Sequence, residues 1–289
     1  MFEKVVMATD LSDDWDAIIA CAGEFKTLGC KRVVLTHVLV AKGLVGTDTA
    51  ALAEARPRLE AQKARLEDQG FEVEVETPVG LPAYSLNEVA LKHCASLIVV
   101  GSHGKSAWRE AILGSVASAL LHHARFPILL INVKNFEAGG LGSTCQLRAT
   151  ELLRHVLFPT DFSSVAGGAV DYVEYLASRG LSRVTVLHAL EIEEATPPAF
   201  LEWAESAARG SMDALEKRLR AAGILEVNAR VSHGHPISLS LDLVEKENIS
   251  LIVVGAQGKS LLSEIFLGSV AYNISRLAPC PVLLIPPAA

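Results

Sequence analysis

Residues 97–117 read LIVVGSHGKSAWREAILGSVA, and residues 251–271 read LIVVGAQGKSLLSEIFLGSVA. Each stretch opens with an apolar run that ends in glycine, Gly101 or Gly255. A second glycine follows three residues on, Gly104 or Gly258, and after nine more residues comes Gly114-Ser115 or Gly268-Ser269. A short run of Leu, Ile and Val without polar alternation is how a strand covered on both faces reads. Glycines after such a strand let the backbone approach a ligand and take positive φ. A serine ahead of the next amphipathic stretch marks a helix start, so Ser115 and Ser269 are expected as N-caps. The unpaired N–H groups and partial positive charge of a helix N-terminus suit a phosphate. One Gly-x-x-Gly is commonly no more than a tight turn. The same spacing twice, followed both times by Gly-Ser-Val-Ala, argues for a bound group.

The repetition extends in both directions. VVMATDLS (5–12) answers VLFPTDFS (156–163), and VVLTHVL (33–39) answers VTVLHAL (184–190). VETPVGLP (75–82) answers ARVSHGHP (229–236), and RFPILLI (125–131) answers PCPVLLI (279–285). The offset is 151 residues for the first two of these pairs and 154 afterwards, so the second copy carries a three-residue insertion. In the first copy, strands are expected near 4–9, 33–39, 71–77, 97–101 and 127–133, with helices near 12–28, 50–69, 83–94 and 115–124. In the second, strands are expected near 155–160, 183–189, 226–232, 251–255 and 281–285, with a helix near 198–222 opening at Pro197-Pro198 and stopping at Gly223. Strand–helix alternation predicts an α/β fold, a doubly wound parallel sheet with right-handed crossovers in each copy. Ligands of such sheets bind beyond the carboxyl ends of the strands, where strand order reverses. The glycine-rich segment NFEAGGLGSTCQLRATE at 135–151 is long for a loop within one domain. It is read as a linker between a first domain at 1–134 and a second at 152–289.

Composition narrows the function. The chain has 289 residues and a formal net charge of −7, which argues against a broad nucleic-acid surface. The N-terminal MFEKVVMATD does not have the pattern of a signal peptide, and no apolar stretch reaches the ~18 residues of a membrane span. Five scattered cysteines are expected as free thiols, which points to a cytoplasmic location. GKS occurs at 104–106 and 258–260, but a phosphate-binding P-loop would need glycine where Val99 and Val253 stand. Neither G-x-G-x-x-G after the first strand nor G-x-S-x-G occurs. His122-His123 and His233-x-His235 are not completed into a tetrahedral metal set, so no metal site and no catalytic constellation are expected.

The G-x-x-G-(nine)-G-S pattern, the ATD and PTD strand ends, the LTHV and VLHA segments and the GLP and GHP turns together resemble the universal stress proteins. The resemblance spans both copies and implies two Rossmann-like, adenine nucleotide alpha hydrolase-like domains, each with a site for ATP or AMP; ATP could bring Mg2+ with it. It implies that Ala8, Thr9 and Asp10, with Pro159, Thr160 and Asp161, border the nucleotide, the aspartates toward the ribose. Val38 and Ala189 would hold the adenine edge through their backbones. Val100 with Gly101, and Val254 with Gly255, would line the base and ribose. Gly104, Gly114, Ser115 and Val116, with Gly258, Gly268, Ser269 and Val270, would cradle phosphates, within reach of His103 and Gln257. The copies differ at Ala8 against Pro159, Val38 against Ala189 and His103 against Gln257. A regulatory, stress-response nucleotide binder is the expected function. A slow ATP-hydrolysing or phosphotransfer enzyme and an interaction module with vestigial sites are the alternatives. The resemblance also implies an intramolecular pseudo-dimer formed through the last strand of each copy, with which a further homodimer is compatible. The protein partner is not legible.

Overall fold

The computed structural model describes residues 1–40, 47–102, 113–131, 151–191, 197–258 and 267–287. It divides into two compact units, Met1–Thr150 and Glu151–Ala289. Unit one runs β1 (Lys4–Ala8), α1 (Asp13–Ala20), β2 (Arg32–Thr36), α2 (Thr47–Asp68), β3 (Glu72–Glu76), α3 (Pro82–Lys92), β4 (Leu97–Gly101), α4 (Ser115–His122) and β5 (Ile128–Ile131). Its strands lie in the order β3-β2-β1-β4-β5, every pair parallel. Unit two runs β6 (Val156–Pro159), α5 (Ser164–Ser178), β7 (Arg183–Leu190), α6 (Pro198–Ala221), β8 (Glu226–His233), α7 (Pro236–Lys246), β9 (Leu251–Gly255), α8 (Ser269–Leu277) and β10 (Val282–Ile285). Its order is β10-β9-β6-β7-β8, again parallel throughout. Each unit is the doubly wound α/β sheet expected. The inner strands β1, β4, β6 and β9 are apolar and buried nearly end to end. The edge strand β3, EVEVE, carries charge on alternate residues, which discourages further pairing. Strand order reverses between β1 and β4, and between β6 and β9, so each unit has a crevice beyond those carboxyl ends.

The helix expected across 12–28 is interrupted. Ile19 C=O and Gly23 N–H would pair in a continuous α-helix. Instead the Gln69 amide, arriving from the end of α2, donates to Ile19 O at 2.7 Å and accepts from Gly23 N–H at 2.8 Å. The chain continues as a 3-10 turn over Ala22–Lys26. Cys30, Cys94 and Cys280 are free thiols, whereas Cys21 is disulfide-bonded, against the expectation of free thiols throughout. Burial pushes the Cys30 and Cys280 thiols up to about 12, so both act as packing groups. No helix among the described residues is long and apolar enough to cross a membrane.

Matched positions in the two units carry ion pairs of opposite sense. In unit one Glu76 on β3 pairs with Lys92 at 2.6 Å and His93 at 2.7 Å, at the end of α3. In unit two Arg230 on β8 stands at the place of Glu76 and Glu247, after α7, at that of His93, and these two pair with the signs exchanged, while Lys246 keeps the charge of Lys92. Glu247 also accepts from the Thr185 hydroxyl at 2.8 Å, and that oxygen lies 2.9 Å from Nε2 of His155. Since the threonine proton goes to Glu247, Nε2–H of His155 must donate to the threonine. Among the described residues Nδ1 of His155 has no hydrogen-bond partner, and the residue is 2% exposed. Protonating the ring would put a charge in a buried place. Burial accordingly holds the His155 pKa below the usual histidine range, aided by Arg183 and opposed by Glu247 and Glu226.

The sign of the pH effect follows. The unfolded chain takes up a proton near the ordinary ~6.5 while the folded one resists it, so this histidine's contribution falls as pH drops below that value. Urea midpoints at pH 7.5 and 5.5 should differ more in wild type than in His155→Gln. Equal pH slopes in the two proteins would remove His155 as the cause.

Candidate functional site

The turn after the first strand is built the same way in both units. Thr9 N–H extends the ladder to Thr36 O at 2.9 Å. Thr9 Oγ1 accepts from Leu11 N–H at 3.0 Å, and Asp10 Oδ1 accepts from Ser12 N–H at 2.9 Å. In unit two Thr160 Oγ1 accepts from Phe162 N–H at 3.1 Å and Asp161 Oδ1 from Ser163 N–H at 2.9 Å. These bonds hold Leu11 at φ 60° and Phe162 at φ 58°, a left-handed conformation that costs a bulky residue roughly 1–3 kcal/mol. One carboxylate oxygen of each aspartate is thus committed to the turn, which fixes the position of the other. Nδ1 of His37 lies 2.8 Å from the Thr9 carbonyl, and Nδ1 of His188 lies 2.8 Å from that of Thr160. Each histidine therefore donates from the end of the second strand and anchors the turn.

Ser115 and Ser269 are not the N-caps. They are the first residues of α4 and α8, and the caps are Gly114 and Gly268, without side-chain capping bonds. The cap N–H groups are drawn back to the preceding strand ends, Gly114 to Ser102 O at 2.8 Å and Gly268 to Ala256 O at 2.7 Å. That pull places the glycine in the cap position and moves the serine into the helix. Both serines are exposed, at helix ends whose first N–H groups have no intrahelical acceptor.

These pieces converge on one cavity per unit. In unit one Ala8, Thr9, Asp10, Val38, Val100, Gly101, Gly114, Ser115 and Val116 line a cavity of about 260 Å³. In unit two Pro159, Thr160, Asp161, Ala189, Val254, Gly255, Gln257, Gly258, Gly268, Ser269 and Val270 line one of about 370 Å³. His103 and Gly104 lie outside the described residues. The cavities also take in residues the motif reading did not assign: His37 and His188, Pro82 and Pro236, Trp15 and Ala166. The histidines and prolines stand at matched positions in the quoted repeats, and that duplication was the available signal. The prolines open α3 and α7 at a position where their missing N–H costs nothing. Among the described residues no group of three His, Cys, Asp or Glu could hold a metal ion.

Comparison with known proteins adds a family. The profile of the Universal stress protein family matches residues 1–132 and 153–286. The chain belongs to the universal stress protein family. The two matched regions make it a tandem of universal stress protein domains, largely one in each unit. A universal stress protein of Mycolicibacterium smegmatis is 26% identical over 300 residues, covering 98% of this chain and 97% of its own. A universal stress protein of Methanocaldococcus jannaschii is 28% identical over 158 residues, 47% of this chain and 98% of its own length. The crystal structure of a universal stress protein from Archaeoglobus fulgidus covers 99% of both chains at a TM-score of 0.76 and 23% identity, a likeness of fold.

Proposed function

We propose that each domain binds an adenine nucleotide, ATP or AMP, and that the protein is a nucleotide-responsive regulator of the stress response. The observation that carries this reading is the duplicated cavity at the strand-order reversal. Each is bounded on one side by a fixed aspartate and on the other by the exposed N-terminus of α4 or α8. An aspartate can bond a ribose hydroxyl, and helix N–H groups can take phosphate oxygens without a metal. In this reading Asp10 and Asp161 face the ribose, Val38 and Ala189 the adenine edge, and Ser115 and Ser269 with Val116 and Val270 the phosphates. His37 N–H and Leu39 N–H are spent on Glu76 O and Pro78 O, on the β3 side. Backbone alternation turns the Val38 N–H toward the opposite side, where β1 has ended.

Mass spectrometry of ligands carried through purification, followed by equilibrium dialysis with ATP and AMP, tests the proposal. Adenine nucleotide should co-purify or bind with at least micromolar affinity. Protein that is folded, empty and unresponsive to both nucleotides would leave the interaction-module alternative in its place.

A further inference from the structure

The largest difference in side-chain size between the two cavities falls at one matched position. The 151-residue offset sets Trp15 against Ala166, each near the start of the helix after the first strand, and each lines its cavity. Trp15 is 3% exposed, so its indole is packed in place. Unit two shows where this position lies. A Cβ on Gly255 would stand 3.3 Å from Val165 Cγ1 and 3.4 Å from the Ala166 backbone nitrogen. The first turn of α5 therefore abuts the end of β9, and the same cavity is lined by Gly268 and Ser269 at the start of α8. In unit one Trp15 lines the same cavity as Gly101, Gly114 and Ser115, and there an indole stands in place of a methyl group. Small-ligand pockets usually measure ~300–1,000 Å³. At about 370 Å³ unit two falls within that range, and at about 260 Å³ unit one falls below it.

We infer that the side chain at this position decides which adenine ligand each domain takes. Ala166 leaves unit two the space for a triphosphate chain. Trp15 takes up part of that space in unit one and restricts it to a nucleoside or a nucleoside monophosphate. The inference rests on the adenine-nucleotide reading above. A packed interior does not open for a ligand without displacing the indole, so the restriction is steric.

Equilibrium dialysis of the full chain with labelled ATP and, separately, labelled AMP reads out ligands per chain. Wild type should bind one ATP but two AMP, Trp15→Ala should gain a second ATP, and Ala166→Trp should bind ATP at least tenfold more weakly. Because Trp15→Ala empties a buried position, Trp15→Leu, with an apolar side chain of intermediate size, is measured beside it, and circular dichroism verifies each fold. Two ATP per wild-type chain would overturn the inference, as would one ATP in wild type and still one in both folded Trp15 variants. Binding of neither ligand by wild type would refute the nucleotide reading itself, and the inference with it.

Discussion

Gly258→Val should weaken nucleotide binding in unit two by a hundredfold or more and leave the unit folded. A Cβ at this position would stand 2.7 Å from Asp161 Oδ2, closer than real Cβ atoms come to any neighbour. Asp161 cannot simply step aside. Its other oxygen holds Ser163 N–H at 2.9 Å, in a turn that keeps Phe162 left-handed. Either the carboxylate leaves its place or the backbone at 258 retreats from the cavity. Both routes remove contacts at the proposed ribose and phosphate positions. Hydrogen bonds to charged groups contribute about 1.5–3 kcal/mol each. Losing two of them at about 1.4 kcal/mol per tenfold gives the stated factor. Calorimetry with ATP and AMP on a variant whose urea midpoint matches wild type decides the matter. An affinity within threefold of wild type would contradict the assignment of Gly258.

The largest stability effect is expected from Phe158→Ala. Phe158 sits in β6, paired with Val186 of β7, and is 0% exposed. Truncating a fully buried phenylalanine loses its transfer free energy and leaves a cavity, together about 3–5 kcal/mol. Whole domains are stable by only ~5–15 kcal/mol, so unit two should approach marginal stability. For a unit of this size the loss corresponds to roughly 10–20 °C in melting temperature. Differential scanning calorimetry of the variant reads this directly, and a shift under 3 °C would mean that Phe158 is not packed in the core.

The parallel sheets were legible because the inner strands are unbroken apolar runs and the second copy repeats them at nearly constant spacing. The cavity was legible for the same reason: Gly101, Gly114 and Asp10 recur as Gly255, Gly268 and Asp161. What escaped the sequence depends on distant side chains or on backbone pull. The break after α1 is made by Gln69, 46 residues beyond Gly23, and no local pattern announces it. The shift of Ser115 and Ser269 from cap to first helical residue follows from the cap glycines bonding back to the preceding strand ends. Trp15 reads as an ordinary core residue until it is seen to line the cavity, and only its replacement by Ala166 in the second copy marks it as a difference between sites.

A chain that holds the same fold twice must keep its halves from borrowing each other's pieces while it assembles, a known hazard of repeated domains. The ion pairs of reversed sense bear on that problem. If β3 were to collect the α7 segment, Glu76 would meet Glu247 in the place of His93, beside Lys246 in the place of Lys92. If β8 were to collect the α3 segment, Arg230 would meet Lys92 and His93. The second hybrid sets only like charges against one another, and the first puts a carboxylate where the native half has His93, whereas each self-assembled half sets opposites together. The exchanged signs are therefore expected to favour each half's own pieces during assembly, before any ligand is present.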